Sequence, residues 1–332
     1  MSARQTGHLM LLALAAALLL LLNSLIANNE ASASDKPLLV YSELSEDLSR
    51  ALLQEFQEKS GKKFEYRLLD TMPVAGAEVK RPDIFLASRE TLTELAAAGA
   101  LLKDARADDD GRPAYLAGEE GTWTGFCYDP CVFLVNHAFS RKIGQKNLLS
   151  WNDLAGRGNM SVSMEDLGST EETKNFLAAF ASKRGEEATM AFLNIIDRKI
   201  VQYAKFPISP IRLVTIGEAD IAVTTRNKVI KYIEYNFPAY VVMPEEGAPA
   251  IVYGCGLSAA SSQPKLGSEF SAWLSSSPEA PVAAEKAGYG YLFFSNTSEP
   301  SERVWVNLNY RSAVKKAALL DKWLQNVRFA AK

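Results

Sequence analysis

Histidine is nearly absent from this 332-residue chain, which contains only His8 and His137. A single imidazole beyond the N-terminal region excludes a histidine-rich zinc site. The chain also lacks a Gly-x-x-x-x-Gly-Lys phosphate loop, a Gly-x-Ser-x-Gly turn and a His-Glu-x-x-His helix. His137 follows an apolar strand and is expected on the surface. We therefore predict a protein that is not an enzyme and has no metal site and no cofactor.

Cysteine is also scarce, with Cys127, Cys131 and Cys255 in the whole chain. Cys127 and Cys131 lie four residues apart in one predicted strand, so roughly 13 Å would separate them. That distance exceeds the reach of a disulfide unless Asp129-Pro130 bends the chain. Two alternatives remain: one of them is bridged to Cys255, or all three are small buried apolar side chains.

Neither positive nor negative charge dominates. The chain has 36 Lys and Arg against 39 Asp and Glu, which gives a formal net charge of −3. This balance offers no basic surface for nucleic acid, and a monomer is the default expectation.

The N-terminus has the organisation of a secretory signal peptide. Arg4 precedes an apolar run from Leu9 to Leu22, and Ala31-Ser32-Ala33 has the small residues that signal peptidase accepts. Residues 1–33 are therefore predicted to be cleaved on export to the periplasm. The alternative is a retained membrane anchor, since the apolar stretch extended to Ala27 approaches the roughly 18–20 residues that span a bilayer.

The mature chain alternates strand and helix patterns. Apolar runs at 38–41 and 83–87 are typical of buried strands, and Leu48, Leu52 and Phe56 recur at helical spacing between Ser45 and Gly61. Residues 123–135 form a long extended segment that Asp129-Pro130 interrupts. The pattern predicts an α/β fold with two units in sequence, followed by helices.

Short landmarks in a fixed order make the chain resemble the type II periplasmic solute-binding proteins of ABC importers, in the ferric-iron or phosphonate branch. They are Leu39-Val40-Tyr41-Ser42, Pro82-Asp83-Ile84-Phe85-Leu86-Ala87-Ser88, Trp123-Thr124-Gly125-Phe126, Ser150-Trp151-Asn152-Asp153-Leu154, Gly168-Ser169-Thr170, Gly217-Glu218-Ala219-Asp220-Ile221 and Pro244-Glu245-Glu246-Gly247. Each is weak alone, but together they cover most of the mature chain.

The resemblance implies two lobes joined by two crossing strands that form a hinge, near 127–136 and 250–259. Lobe one would contain residues 34–130 and 252–332, and lobe two residues 131–251. Side-by-side crossing strands would also favour a bridge to Cys255. The ligand would be a small molecule bound in the cleft, which closes around it, and the partner would be an ABC transporter permease.

Polar residues that follow predicted strands or begin predicted helices are the candidate ligand contacts, since ligands of α/β sheets bind beyond the carboxyl ends of strands. Their counterparts in the family commonly line the cleft. The candidates are Ser42, Ser88, Gly168, Ser169, Thr170, Ser209, Thr225 and Arg226. Hydroxyls around one arginine suit a small anionic or polar organic ligand. The alternative for each Ser and Thr is an ordinary helix cap or turn.

Three other functions stay open. Iron-binding members of the family use adjacent tyrosines, whereas Tyr232 and Tyr235 are three apart, and Arg226 would oppose Fe³⁺. A ferric-iron receptor is therefore the alternative ligand class. A secreted carboxylate-based hydrolase and a tethered sensory module are the remaining alternatives.

Overall fold

The computed structural model describes residues 37–62, 64–69, 81–103, 116–143, 150–292 and 303–330. The predicted signal peptide at 1–33 lies outside these residues. Within them, no helix has both the length and the apolar character needed to cross a membrane.

The described residues form a mixed α/β structure, as the sequence predicts. Its strands are β1 (Leu38–Ser42), β2 (Tyr66–Leu69), β3 (Ile84–Ser88), β4 (Trp123–Asn136), β5 (Val162–Glu165), β6 (Ile200–Ala204), β7 (Ile221–Thr225), β8 (Ala239–Val242), β9 (Ala248–Leu257), β10 (Gly290–Tyr291) and β11 (Val304–Trp305). Its α-helices are α1 (Glu46–Ser60), α2 (Arg89–Ala97), α3 (His137–Ile143), α4 (Trp151–Gly156), α5 (Glu171–Arg184), α6 (Glu186–Asp197), α7 (Ser209–Thr215), α8 (Arg226–Glu234), α9 (Pro264–Ser276), α10 (Glu279–Lys286) and α11 (Ala313–Trp323).

Helix α1 shows how local sequence sets these boundaries. The Ser45 hydroxyl accepts a hydrogen bond from the Leu48 N–H and so caps the first turn. Gly61 ends the helix at φ 65°, a left-handed conformation that glycine adopts without a Cβ penalty. Leu48, Leu52 and Phe56 are buried on one face, at the helical spacing that the sequence shows.

The sheet runs through both lobes in the order β2-β1-β3-β9-β4-β7-β5-β6. Strands β1, β2 and β3 pair in parallel on one side, and β5, β6 and β7 pair in parallel on the other. Strands β4 and β9 are antiparallel neighbours between the two sets, with Tyr128 opposite Val252 and Pro130 opposite Ala250. They are the two crossing strands of the predicted hinge, so the two-lobed type II fold is confirmed.

Strand β4 passes through Asp129-Pro130 without the predicted interruption. Proline cannot donate to a ladder, and Pro130 lies where β4 changes partners. Before it, β4 pairs with β9, and from Cys131 onward it pairs with β7. The missing N–H therefore falls at a junction between two ladders.

Each lobe has a large hydrophobic core of its own. Core one contains Leu52, Phe56 and Phe270, and core two contains Trp151 and Phe180. The sequence-based division placed residues 252–332 wholly in lobe one. In the structure, Trp305 of β11 and Trp323 of α11 pack instead in core two. Since residues up to Tyr289 pack in core one, the chain returns to lobe two near its C-terminal end.

The three cysteines are buried and unbridged. Burial raises the pKa of the Cys255 thiol to about 12 and raises those of Cys127 and Cys131 as well. Of the two alternatives, the structure fits the second, in which the cysteines are small buried apolar side chains.

Candidate functional site

A hollow opens in lobe two, against the crossing strands. Its cavity volume is about 40 Å³, and the empty space is about 470 Å³ when the open solvent at its mouth is included. Its floor is Asp129 of β4 together with residues 249–251 of β9. Lobe two supplies the remaining lining, which is Cys131, Met164, Glu165, Leu167, Glu172, Thr173, Phe176, Val223, Thr224 and Thr225.

The local sequence explains why polar groups converge here. Strands β5 and β7 are adjacent and parallel, so their carboxyl ends open at the same edge of the sheet. Glu165 is the last residue of β5, and Thr224 and Thr225 end β7. Helices α5 and α8 begin at this edge, with Glu172 in the first turn of α5.

Lys228 joins two carboxylates at the edge of the hollow. Its Nζ lies 2.9 Å from Glu165 Oε1 and 2.6 Å from Glu172 Oε1. Burial lowers the pKa of Lys228, but the charges of Glu172 and Glu165 outweigh this effect and raise it overall. The lysine therefore stays positively charged. Burial raises the pKa of Glu165, opposed by Lys228.

Asp129 is almost fully buried in the floor of the hollow, with 2% of its surface exposed. The Asn227 N–H donates to its Oδ1 at 3.1 Å. Burial raises the pKa of Asp129 to about 7, because the hydrogen bond from the Asn227 N–H only partly offsets the lost hydration. The carboxyl can therefore be neutral or charged near physiological pH.

A smaller hollow shares Ala250 and Ile251 with the first and extends toward lobe one. Arg89, the first residue of α2, lines it opposite Asn175 of α5. One Arg89 nitrogen, Nη2, donates to Glu90 Oε1 at 2.5 Å and to the Asn307 carbonyl at 2.6 Å.

Buried polar atoms without a hydrogen-bond partner in the described part of the chain occur around both hollows. They include Arg89 Nη1, Glu165 Oε2, Asn175 Oδ1 and Thr224 Oγ1. A buried donor or acceptor left unpaired costs about 1–3 kcal/mol. Such atoms therefore mark this cleft as a place where a bound molecule would restore hydrogen bonds.

Most of the predicted ligand residues serve as caps and turns in this structure. The Ser88 and Thr170 hydroxyls accept from backbone N–H groups as N-caps of α2 and α5. The Ser42 hydroxyl contacts that of Ser49 at 2.7 Å. Gly168 donates its N–H, and Ser169 its hydroxyl, to Asp166 within the turn before α5. Thr225 lies in the lining of the hollow.

Ser209 and Arg226 lie apart from that lining. Ser209 is the first residue of α7, and Ile208 rather than Ser209 occupies the cap position, without a side-chain cap. Arg226 Nη1 donates to Glu285 Oε2 at 3.0 Å, and its Nη2 contacts Glu285 Oε1. This pair raises the pKa of Arg226 and joins helix α8 of lobe two to helix α10 of lobe one. The guanidinium that was expected to bind an anion thus makes an interlobe ion pair.

Sequence reasoning missed Asp129, Glu165, Lys228 and Arg89 as cleft residues. A signal existed for Glu165, a carboxylate directly after an apolar strand. Asp129 was treated only as part of a chain interruption. Lys228 and Arg89 are recognisable only after helices α8 and α2 have been placed.

Comparison with known proteins gives consistent results. Residues 38–290 match the family model described as bacterial extracellular solute-binding protein. An uncharacterized protein of Haemophilus influenzae is 26% identical over 211 residues, which make up 60% of this chain and 61% of that protein.

Solved structures share the fold at low identity. AfuA from Actinobacillus pleuropneumoniae, with bound fructose-6-phosphate, superposes at TM-score 0.64 and 17% identity over 90% of this chain and 100% of AfuA. Iron-bound HitA from Pseudomonas aeruginosa gives 0.65 and 17%, over 86% of this chain and 98% of HitA. Ferric iron-binding protein A of Mannheimia haemolytica, in an open conformation, gives 0.66 and 17%, over 87% and 97%. On the match over residues 38–290, the chain belongs to the bacterial extracellular solute-binding protein family.

Proposed function

We propose that this protein is the periplasmic receptor of an ABC importer, which captures a small polar organic solute between its lobes and presents it to a membrane permease. It would act as a monomer, be exported by a cleavable signal peptide, and bind without catalysing a reaction. The observation that carries the proposal is the concentration of buried, unpartnered polar atoms around the two hollows. A solute that extends from the larger hollow into the smaller one, which Arg89 lines, would contact both lobes and so stabilise the closed arrangement.

Two ligand classes are less well supported by the geometry. A small anion held by Arg226 would have to compete with Glu285 for the guanidinium. Ferric iron needs several hard oxygen ligands, and among the described residues no group of three His, Cys, Asp or Glu could hold a metal ion. Tyr235 is 75% exposed, and Tyr232 packs against the ring of Phe237.

The relatives bind different solutes, so the shared fold does not select one. AfuA is seen with a sugar phosphate and HitA with iron. The choice of ligand must therefore come from the side chains of the cleft.

A ligand screen tests the receptor function. The purified protein would be unfolded and refolded to remove bound solute, then tested by thermal shift against amines, amino acids, carboxylates, phosphate esters, sugars and Fe³⁺ with citrate. A ligand at 100 times its dissociation constant stabilises the folded state by about 2.7 kcal/mol. We expect at least one organic class to raise the melting temperature. A visible charge-transfer band with Fe³⁺ would favour the iron receptor, and no response to any class would contradict a receptor function.

A further inference from the structure

The larger hollow carries an excess of acidic groups. The carboxyls of Asp129, Glu165 and Glu172 line it, and Lys228 supplies the ammonium that contacts two of them. The formal charge of this cluster is negative whether Asp129 is protonated or ionised. Negative charge in a partly enclosed site attracts a cation.

Three buried oxygen atoms that line this hollow have no hydrogen-bond partner within the described residues: Glu165 Oε2, Thr224 Oγ1 and Thr225 Oγ1. Lys228 contacts Oε1 of Glu165, whereas Oε2 of the same carboxylate has no partner within the described residues, although Glu165 is only 6% exposed. Thr224 Oγ1 is likewise unpartnered, in a residue that is 5% exposed. Glu165 Oε2 can only accept hydrogen bonds while the carboxylate is ionised, and it therefore needs an N–H or O–H donor.

The rest of the lining is apolar. Met164, Leu167, Phe176 and Ile251 surround the acidic groups. Apolar side chains do not stabilise a hydrated inorganic cation. They do stabilise the carbon skeleton of an organic molecule, because packing against them removes its apolar surface from water.

We propose that this hollow binds the protonated amine of a small organic solute. The inference rests on the receptor function proposed above and names the chemical class of its ligand. The ammonium group donates to Glu165 Oε2 and to Thr224 Oγ1, and it neutralises the excess negative charge. Its carbon skeleton packs against Phe176 and Ile251.

An anionic ligand at the same place would meet two obstacles. Lys228, the nearby cation, is already held by Glu165 and Glu172 at hydrogen-bond distance. The anion would also approach three carboxyl groups, and like charges in a desolvated site repel strongly.

The test compares matched probes that differ in one group. Phenethylamine, phenethyl alcohol and 3-phenylpropionate form one set, and glucosamine, glucose and glucose 6-phosphate form another. Affinities would be measured by calorimetry on the refolded protein. We expect at least one amine to bind at least tenfold more tightly than its hydroxyl analogue, and anions without an amine to bind more weakly still.

Variants locate the effect. Glu165→Gln keeps the shape of the side chain but removes its charge, and it should weaken binding of the amine at least tenfold. Thr224→Val should weaken it by a smaller factor. Glu269→Gln, on α9 in an ion pair with Lys62 of lobe one, is the matched control and should leave affinity unchanged. Circular dichroism would verify folding, and Glu172→Gln is the second charge variant if Glu165→Gln fails to fold.

The outcomes separate this inference from the receptor function. Tight binding of an anion without an amine, weakened by Lys228→Met, would overturn the amine inference and leave the receptor intact. Equal binding of an amine and its alcohol would also overturn it. No binding by either probe set or by any class in the wider screen would count against both.

Discussion

Asp129 lies where strand β4 passes between the lobes, and its carboxyl is buried beside two charged side chains. Glu172 raises its pKa and Lys228 lowers it, while burial has the largest effect and brings the pKa to about 7. An unfolded aspartate titrates near pH 3.9. The folded protein therefore binds a proton more tightly than the unfolded chain does.

This difference makes stability depend on pH in a definite direction. Because the folded pKa is raised, the contribution of Asp129 is fully present below about pH 4 and is lost as pH rises through about 7. Asp129→Asn cannot titrate, so we expect this variant to gain about 2 to 3 kcal/mol relative to wild type between pH 5 and pH 8. Urea unfolding at both pH values measures the change. Parallel pH profiles for the two proteins would contradict the assignment, and Asp321→Asn, at an exposed site on α11, is the control.

A hydroxyl at a helix N-terminus can either cap the helix or bind a ligand, and Thr170 is a case of the first. Its Oγ1 accepts from the Thr173 N–H at 3.1 Å, and the Thr173 hydroxyl accepts from the Thr170 N–H at 3.2 Å. This capping box satisfies two backbone donors of helix α5. The side chain is thus already used by its own helix.

We therefore expect Thr170→Ala to lower the free energy of unfolding by about 1 kcal/mol and to leave ligand affinity unchanged. Thr170→Ser, which keeps the hydroxyl, should restore the stability. Urea unfolding and calorimetry with any ligand from the screen give the two readouts. A loss of affinity in Thr170→Ala, at unchanged stability, would mean that the hydroxyl binds ligand.

At the element scale, the N-terminus of helix α8 is held closely against lobe one. Gly288 follows α10 at φ 87°, and a Cβ added there would lie 2.9 Å from the Asn227 Cα. Asn227 Nδ2 also donates to the Tyr289 hydroxyl at 2.5 Å, and that oxygen accepts from the Ser45 N–H at 3.0 Å. Glycine at 288 thus permits close backbone contact between two lobes.

Gly288→Ala should push helix α8 away from lobe one, because the clash is with backbone atoms that cannot rotate aside. Gly61→Ala is the matched control, since Gly61 also has positive φ but faces open space. We expect both variants to lose stability and only Gly288→Ala to weaken ligand binding and enlarge the radius of gyration in small-angle scattering. Similar scattering and affinity for both would show that the contact does not control closure.

For the whole molecule, ion pairs on α8 connect the lobes on the surface. Arg226 pairs with Glu285 of α10, and Lys231 Nζ lies 2.5 Å from Asp47 Oδ2 of α1. Both pairs include strongly exposed carboxylates, and exposed pairs contribute about 0–1 kcal/mol. Their position suits a weak latch that favours closure without preventing release.

A double-mutant cycle separates this latch from ligand binding by Arg226. As a latch, Arg226→Ala and Glu285→Gln should each weaken ligand affinity by less than about fivefold, and the double variant should be no weaker than either single one. If Arg226 binds the ligand directly, Arg226→Ala should lower ligand affinity much more than fivefold. Glu285→Gln would then not reproduce that loss of affinity. Calorimetry on the four proteins makes the comparison.

Local features of the fold could be predicted from sequence because their causes are local. Ser45, Gly61 and Thr170 mark helix ends through caps that involve residues within one turn. The exception is Ser209, whose predicted cap position falls on Ile208. Pro130 was misjudged because its effect depends on the partner strands, which change at that residue.

The candidate site was predicted less well. A polar residue at a strand end has the same sequence signature whether it caps a helix or faces a ligand. Thr225 lines the hollow, whereas Ser88 and Thr170 are helix N-caps. Burial of a charge depends on neighbours remote in sequence, and so the roles of Arg89 and Lys228 could not be recognised beforehand.

The sequence by itself determined the α/β class, the helix caps, and a family resemblance strong enough to predict two lobes and a hinge. These features depend on periodicity, local hydrogen bonding and the order of short motifs. Only the tertiary structure decided that Trp305 and helix α11 pack in core two, that Arg226 pairs with Glu285, and that acidic side chains converge in the cleft. Each of these depends on packing between segments 40 or more residues apart, where chain connectivity gives no information about distance.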